Sequence, residues 1–416
     1  MAKQKRENRT ITIDFNDEAT YQHLCQDGHA FIEFVVAFIM SLGFQLNHKC
    51  PCQGGFALTR HWHYVRVRLG GLVIWRLECK PGGAGFTILP HFVLRYSGIK
   101  PARAKKALLA THGGLSLEWS ATLLNLCPMS IYRLVCAFGR ISLVTVLTRC
   151  QLPLPPYLLA DEKHSHCLTE KVYLPTRVEG RVIWHLGYTE DKSADAFEAS
   201  DGQFQQATQT VARDYQPQGI LTDGFESTRK SLHHLFPATP LGNCLRHAAN
   251  RVGSHLKSVA QMVRDACSEQ FYNLFADRTE PKAHKVRSLG QKLRRFAEKV
   301  SHLAGQENGA RIPQWIARKK DGWYVLFRDP ALPATSTLLD QAHNAIDRKL
   351  FMMKGFHHPE GSQRQFLTGL ALLYNFVPYQ RRAKNADKWG VEVQGGKLPA
   401  NDWLLNLQIL TSGGFL

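Results

Sequence analysis

Residues 157–244 read YLLADEKHSHCLTEKVYLPTRVEGRVIWHLGYTEDKSADAFEASDGQFQQATQTVARDYQPQGILTDGFESTRKSLHHLFPATPLGNC, and this stretch decides the fold. Its short apolar runs predict strands at Tyr157–Asp161, Lys171–Pro175, Val182–Tyr188, Gly219–Thr222 and Pro240–Cys244. Helical patterns lie between them at Asp195–Tyr215 and Thr228–Phe236. Three strands, a helix and then strand–helix–strand make an α/β domain with a mixed sheet. Two of these strands run straight into acids, Asp161-Glu162 and Asp223-Gly224. Alternation along a strand places Asp161 and Glu162 on opposite faces, so only one of them faces a given site. Open α/β sheets carry their sites at strand ends, near a topological switch. An isolated Asp-Gly is more often a turn than a ligand. Two aspartates ending strands of one sheet say more.

Downstream, residues 245–320 are helical in pattern and strongly basic, with 16 Lys and Arg against 6 Asp and Glu. Lys292, Arg294 and Arg295 are the candidate DNA contacts of this segment. A last helical region spans Thr335 to Tyr379, followed by a polar tail opening QRRAKNADK. In a helix, Asp340, His343 and Asp347 at i, i+3 and i+7 share a face beside the apolar stripe of Leu339, Ala342, Ile346 and Leu350. The ordinary reading of such a face is a solvated one. Thr335 and Ser336 are placed to cap this helix.

Upstream, Pro153, Pro155 and Pro156 make a linker, since proline cannot continue a helix. Before it, LSLEWSATLLNLCPMSIYRLVCAFGR (115–140) fits a helix-turn-helix, with Ser116 as N-cap and Leu117, Ala121, Leu124, Ile131 and Val135 as its apolar seam. Ser130, Tyr132 and Arg133 then project from the second helix toward a major groove. An ordinary helical hairpin is the alternative. Residues 1–100 combine a basic tail, a helical stretch Tyr21–Leu42 and strand-like runs at 63–67, 72–77 and 86–89. Cys50, Cys52 and Cys79 are three thiols where a zinc ribbon wants four, with His61 or His63 as substitutes; a metal-free ribbon-like fold is the alternative.

The whole chain of 416 residues holds 52 Lys and Arg against 34 Asp and Glu, a net charge of +18. Such an excess points to a polyanionic partner, most simply nucleic acid. With 44% hydrophobic and 21% charged residues, the composition excludes disordered and fibrous classes. Ten scattered cysteines exclude a secreted disulfide scaffold. The longest apolar run, Val35–Met40, is far short of the ~20 residues of a membrane helix, so a cytoplasmic protein with no membrane partner is expected.

The stretches LLADEKHS, ILTDGFEST, GNCLRHAANR, TSTLLDQAHNAIDRKLF and TGLALLYNFVPYQ resemble, in order, the motifs of bacterial insertion-sequence transposases with a ribonuclease H-like catalytic domain. HKCPC, RLECKPGGAGFTILPHFVLRY and the helix-turn-helix resemble the DNA-binding arm of such enzymes. The resemblance implies a ribbon-like module at 1–100, a helix-turn-helix at 101–150, and a ribonuclease H-like domain at 155–380. It implies a mixed sheet with helices on both faces, a basic helical insertion at 245–330, and a tail at 381–416. It further implies that Asp161, Asp223 and Asp340 hold two Mg2+ (or Mn2+) ions, although the last acid of the superfamily is most often glutamate. Three aspartates suit a hard ion that prefers oxygen ligands. Lys163, His164, His247 and His343 lie near the motifs as supporting residues. The implied partners are double-stranded DNA, as transposon ends and target, and at least one further copy of the chain. The activity implied is DNA cleavage and strand transfer. The readings left open beside it are a DNA-binding regulator that has lost catalysis and a nuclease on the same fold.

Overall fold

The computed structural model describes residues 9–46, 57–279, 283–309, 311–357 and 361–415. The protein is mixed α/β, with two mixed sheets, and divides into two compact units. The first comprises residues 1–153 and 345–416, the second 154–344. The division falls inside one helix, so the region after 345 groups with the N-terminal residues. The expected catalytic domain to residue 380 therefore extends past the compact unit that contains its sheet.

In the first unit, β1 (Thr10–Ile13), β2 (Leu58–Arg66), β3 (Leu72–Cys79) and β4 (Ala84–Pro90) form a sheet in the order β1-β4-β3-β2. β1 runs parallel to β4 and the other pairs are antiparallel. The expected helix Tyr21–Leu42 is two helices, α1 (Glu18–Gln26) and α2 (Gly28–Leu42). Asp27 breaks it: its carboxylate accepts from His29 N and Ala30 N and so caps a new helix. Phe15, Tyr21, Phe31, Phe86 and Ile88 lie in a core too large for a bare ribbon. Cys79 is buried in that core, His61 pairs with Glu78 at 2.9 Å, and His63 packs on Trp75. Cys50 and Cys52 lie outside the described residues.

Next come α3 (Pro101–His112), α4 (Leu117–Leu124), α5 (Pro128–Phe138) and α6 (Leu143–Arg149). Ser116 caps α4 as expected, accepting from Trp119 N at 3.1 Å. Asn125 takes a left-handed conformation, and α4 and α5 are bent by 111°, within the range of a helix-turn-helix. α5 packs on a C-terminal helix, Gln363–Phe376, so closely that a Cβ on Gly369 would stand 2.3 Å from Val135 O. Only glycine permits that approach.

The second unit is built on β5 (Tyr157–Cys167), β6 (Glu170–Glu179), β7 (Val182–Leu186), β8 (Gly219–Thr222) and β9 (Leu241–Asn243). Their order is β7-β6-β5-β8-β9, with the first three antiparallel and the last two parallel to β5. β5 is central, and Leu158, Leu159 and Ala160 are buried as a strand covered on both faces requires. α7 (Ala194–Val211) and α8 (Glu226–Leu235) pack together, touching β5–β7. The segment after β9 forms α9 (Leu245–His255), α10 (Gln261–Asn273), α11 (Ala283–Gly309) and α12 (Arg311–Arg328). α12 packs along β9. α13 (Thr337–Met352) then begins in this unit. Among the described residues no single helix is long and apolar enough to cross a membrane.

Candidate metal centre

The parallel β5–β8 pairing ends with Ala160 opposite Thr222, so Asp161 and Asp223 stand at the same level. β5 does not end at Asp161 as expected but runs on to Cys167, still paired with β6. Asp223 turns its carboxylate onto the following loop, where Oδ1 accepts from Phe225 N at 2.7 Å. Gly224 has φ +95°, a left-handed conformation that glycine adopts without strain. Its carbonyl accepts from Lys319 Nζ at 2.6 Å, which ties α12 to the turn.

Asp161 is 9% exposed, and its Oδ1 accepts from Glu162 N at 2.8 Å. Burial, then the Asp223 and Asp340 carboxylates, push its pKa up to about 7. Glu162 is pushed up to about 8 by burial, Asp223 and Asp161. Ligand oxygens of Asp161, Glu162 and Asp223 all lie within 4.8 Å of one another. The backbone stays paired with β6 in register through both residues, yet the expectation that only one of the two acids faces the site is overturned, because the Glu162 carboxylate reaches the other two. Beyond Ala160, β5 has no partner on its β8 side. The Glu162 carboxylate is drawn toward α8, where its Oε2 accepts from Thr228 Oγ1 at 2.8 Å.

The third acid arrives on α13. Asp340 N donates to Ser336 O at 2.9 Å, and Asp340 Oδ2 accepts from Arg246 Nη1 at 3.2 Å. Thr335 and Ser336 do not cap the helix with their side chains as expected. Thr335 Oγ1 lies 3.2 Å from Thr337 Oγ1. Ser336 Oγ stands 3.4 Å from both His247 Nδ1 and Cys244 Sγ. His247, in the first turn of α9, has ligand atoms within 4.8 Å of those of Asp161 and Asp340. Its hydrogen bond to Cys244 raises its pKa to about 9; burial opposes this, while the Cys244, Asp161 and Asp223 charges assist it.

Thus Asp161 belongs to two groups of possible ligands, one with Glu162 and Asp223, the other with His247 and Asp340. The set fits a divalent cation: carboxylates crowd where the β5–β8 pairing ends, and burial first, then their neighbours' charges, raise the pKa values of Asp161 and Glu162. Asp347 is in neither group. His343 does not share a solvated face with it. It is 7% exposed, its Nε2 has no hydrogen-bond partner among the described residues, and burial, then Lys163, Arg177 and His247, lower its pKa to about 3. Lys163 is half-buried, and His164 is exposed with its ring edge-on to Tyr173.

A cavity of about 1270 Å³ opens beside the carboxylates and shares Asp223 and His247 with them. Arg229, Lys230, Arg251, Arg318 and Lys319 line it, together with Trp315. In the sequence these cations are marked only by the overall charge of their segment, which singles out none of them. Lys292, Arg294 and Arg295 lie on the exposed side of α11, away from the cavity lining. In the helix-turn-helix, Arg133 is exposed and Ser130 half-buried. Tyr132 does not project toward a groove. Its ring stacks on Phe366 at 4.7 Å and its hydroxyl accepts from Ser362 Oγ at 3.1 Å. No known protein family and no curated protein matches the chain.

Proposed function

We propose that the chain is a metal-dependent DNA transposase whose second unit is a ribonuclease H-like catalytic domain. The observation that carries this reading is the convergence of Asp161, Asp223 and Asp340, from two sheet strands and a distant helix, beside a cavity lined by cations. The mixed sheet, with parallel strands delivering two acids to one end, supports the same reading. Asp161, Asp223 and Asp340 would hold divalent ions. Such ions activate an attacking oxygen and stabilise the leaving 3′ oxygen of a phosphodiester.

The protein's own contribution is to hold the strand. The cationic lining takes phosphate charge, and Lys319, fixed on Gly224 O, sets that lining next to Asp223. No side-chain nucleophile is needed, since water and then a DNA 3′-hydroxyl serve. The helix-turn-helix of the first unit and its exposed Arg133 fit recognition of transposon ends.

Asp223→Asn tests the reading. Cleavage of end-bearing DNA in Mg2+ should fall at least a thousandfold, with duplex binding within about twofold of the parent. Cleavage that survives this change removes Asp223 from the chemistry. Joining of cut ends to a free target duplex, by the unaltered protein, separates a transposase from a nuclease.

A further inference from the structure

The three-acid scheme treats the metal ligands as oxygen only, but the residues around Asp161 are not uniform. On one side stand Glu162 and Asp223, both carboxylates. On the other stand Asp340 and an imidazole, that of His247. We propose that the centre is two unequal subsites sharing Asp161: an all-oxygen one with Glu162 and Asp223, and a nitrogen-bearing one in which His247 is a direct ligand with Asp340. The proposal rests on the reading of this cluster as a metal centre and adds to it the identity of the ligands and of the ions.

Three observations beyond the acids carry it. His247 is not loose: its Nδ1 is held 3.4 Å from Ser336 Oγ, and that hydroxyl is itself held 3.4 Å from Cys244 Sγ, one residue before the helix. Metal-binding histidines are oriented in this way, by a hydrogen bond to the ring nitrogen that does not bind. In the proposed arrangement Nδ1–H donates to Ser336 and Nε2 carries the lone pair. Second, Asp161 is nine-tenths buried and accepts a hydrogen bond on Oδ1 alone, so no described residue donates to its other oxygen. Third, the Arg246 guanidinium already sits on Asp340 as a monovalent cation, 48% exposed and free to withdraw.

The ligand types predict different ions. Oxygen-only sites suit Mg2+. An imidazole shifts preference toward borderline ions such as Mn2+ and Zn2+, which bind nitrogen better than Mg2+ does. The nitrogen subsite should hold Mn2+ against a large excess of Mg2+, and the oxygen subsite should not.

The experiment is Mn2+ binding to the full chain, counted from the free-ion EPR signal, with electron spin-echo modulation recorded on the bound ion. The protein is expected to bind two Mn2+ and to show modulation from a directly bound 14N. Excess Mg2+ should displace one Mn2+ and leave the nitrogen modulation. His247→Gln should abolish the modulation and weaken one of the two ions at least tenfold. Glu162→Gln should weaken the other ion and keep the modulation. Two bound Mn2+ without nitrogen modulation, modulation that survives His247→Gln, or modulation that Mg2+ removes, each overturns the proposal while leaving a metal centre standing. No Mn2+ bound at all overturns the metal centre itself. The modulation in the unaltered protein decides the matter even where a variant fails to fold.

Discussion

Arg177 on β6 and Asp201 on α7 are both fully buried in the second unit and face each other as an ion pair, whereas Asp161 and Glu162 on β5 and Asp223 after β8 are acids facing acids. The first cluster is charge-paired, although Arg177 Nε and Asp201 Oδ1 find no hydrogen-bond partner among the described residues. Arg177 also donates to Thr176 O at 2.8 Å and to Asp161 O at 3.3 Å, and Asp201 accepts from Ser231 Oγ at 3.3 Å. The second holds its charge only at the expense of raised pKa values. A buried pair of opposite charges joins α7 and α8 to the sheet and needs no further ion to balance it. Like charges crowded in the same surroundings attract a cation. The contact from Arg177 to the Asp161 carbonyl links the two, so the charge-paired cluster fixes the backbone of the acidic one.

Removing one partner breaks this contrast most severely. Asp201→Ala leaves the Arg177 guanidinium buried and uncompensated, and should destabilise the protein by about 3–5 kcal/mol in chemical denaturation. A loss below about 1 kcal/mol would mean that water reaches Arg177. In the acidic cluster the sign reverses. The pKa of Asp161 is raised in the folded state, so its contribution to stability is complete below the unfolded value near 4 and is lost as the pH rises toward 7. Asp161→Asn should therefore melt close to the parent at pH 5 and several degrees above it at pH 8, both in chelator. Saturating Mn2+ should reverse the order at pH 8, because only the parent keeps the carboxylate. Equal melting at both pH values would show that the acids do not repel.

The smallest effect belongs to charges outside both clusters. Arg294 is largely exposed and has only a 3.7 Å contact with Glu298. Replacing Arg294 and Arg295 by Glu should change stability by less than about 0.5 kcal/mol. It should lower the salt dependence of DNA binding by about 0.9 in log–log slope for each phosphate no longer neutralised. The preferred sequence should not change. A changed preference would assign base reading to α11.

Asp161 and Asp223 are legible in the sequence because an acid ending an apolar run stands out. β8 runs from Gly219 to Thr222 as its apolar run predicts, whereas β5 continues through polar residues to Cys167. Asp340 is legible only through resemblance, since nothing in an amphipathic pattern tells a ligand from a solvated acid. Glu162 is misplaced because alternation sets where its Cβ points and not where its carboxylate ends, and with no β8 neighbour after Ala160 that long side chain turns to Thr228. Tyr132 is misplaced for a related reason. The face a helix buries depends on what packs against it, here Phe366, more than two hundred residues away in sequence. Asp27, by contrast, carries its own signal as a strong N-cap, which the apolar run of 31–42 masks.

Lys319 bears on whether the basic segment after β9 can be treated as a module. Its carbonyl accepts from Asn243 Nδ2 at 2.8 Å, and its ammonium holds the Gly224 carbonyl at the turn below Asp223. A Cβ on Gly322, one helical turn on, would collide with Asn243 at 2.4 Å. The insertion is thus laced into the last strand of the sheet through both backbone and side chain. A shortened chain joining 244 directly to 329 would not be a minimal nuclease with a DNA grip removed. It would be missing the brace of the turn below Asp223, and grafting the segment onto another sheet would carry that brace without the turn it was shaped to hold.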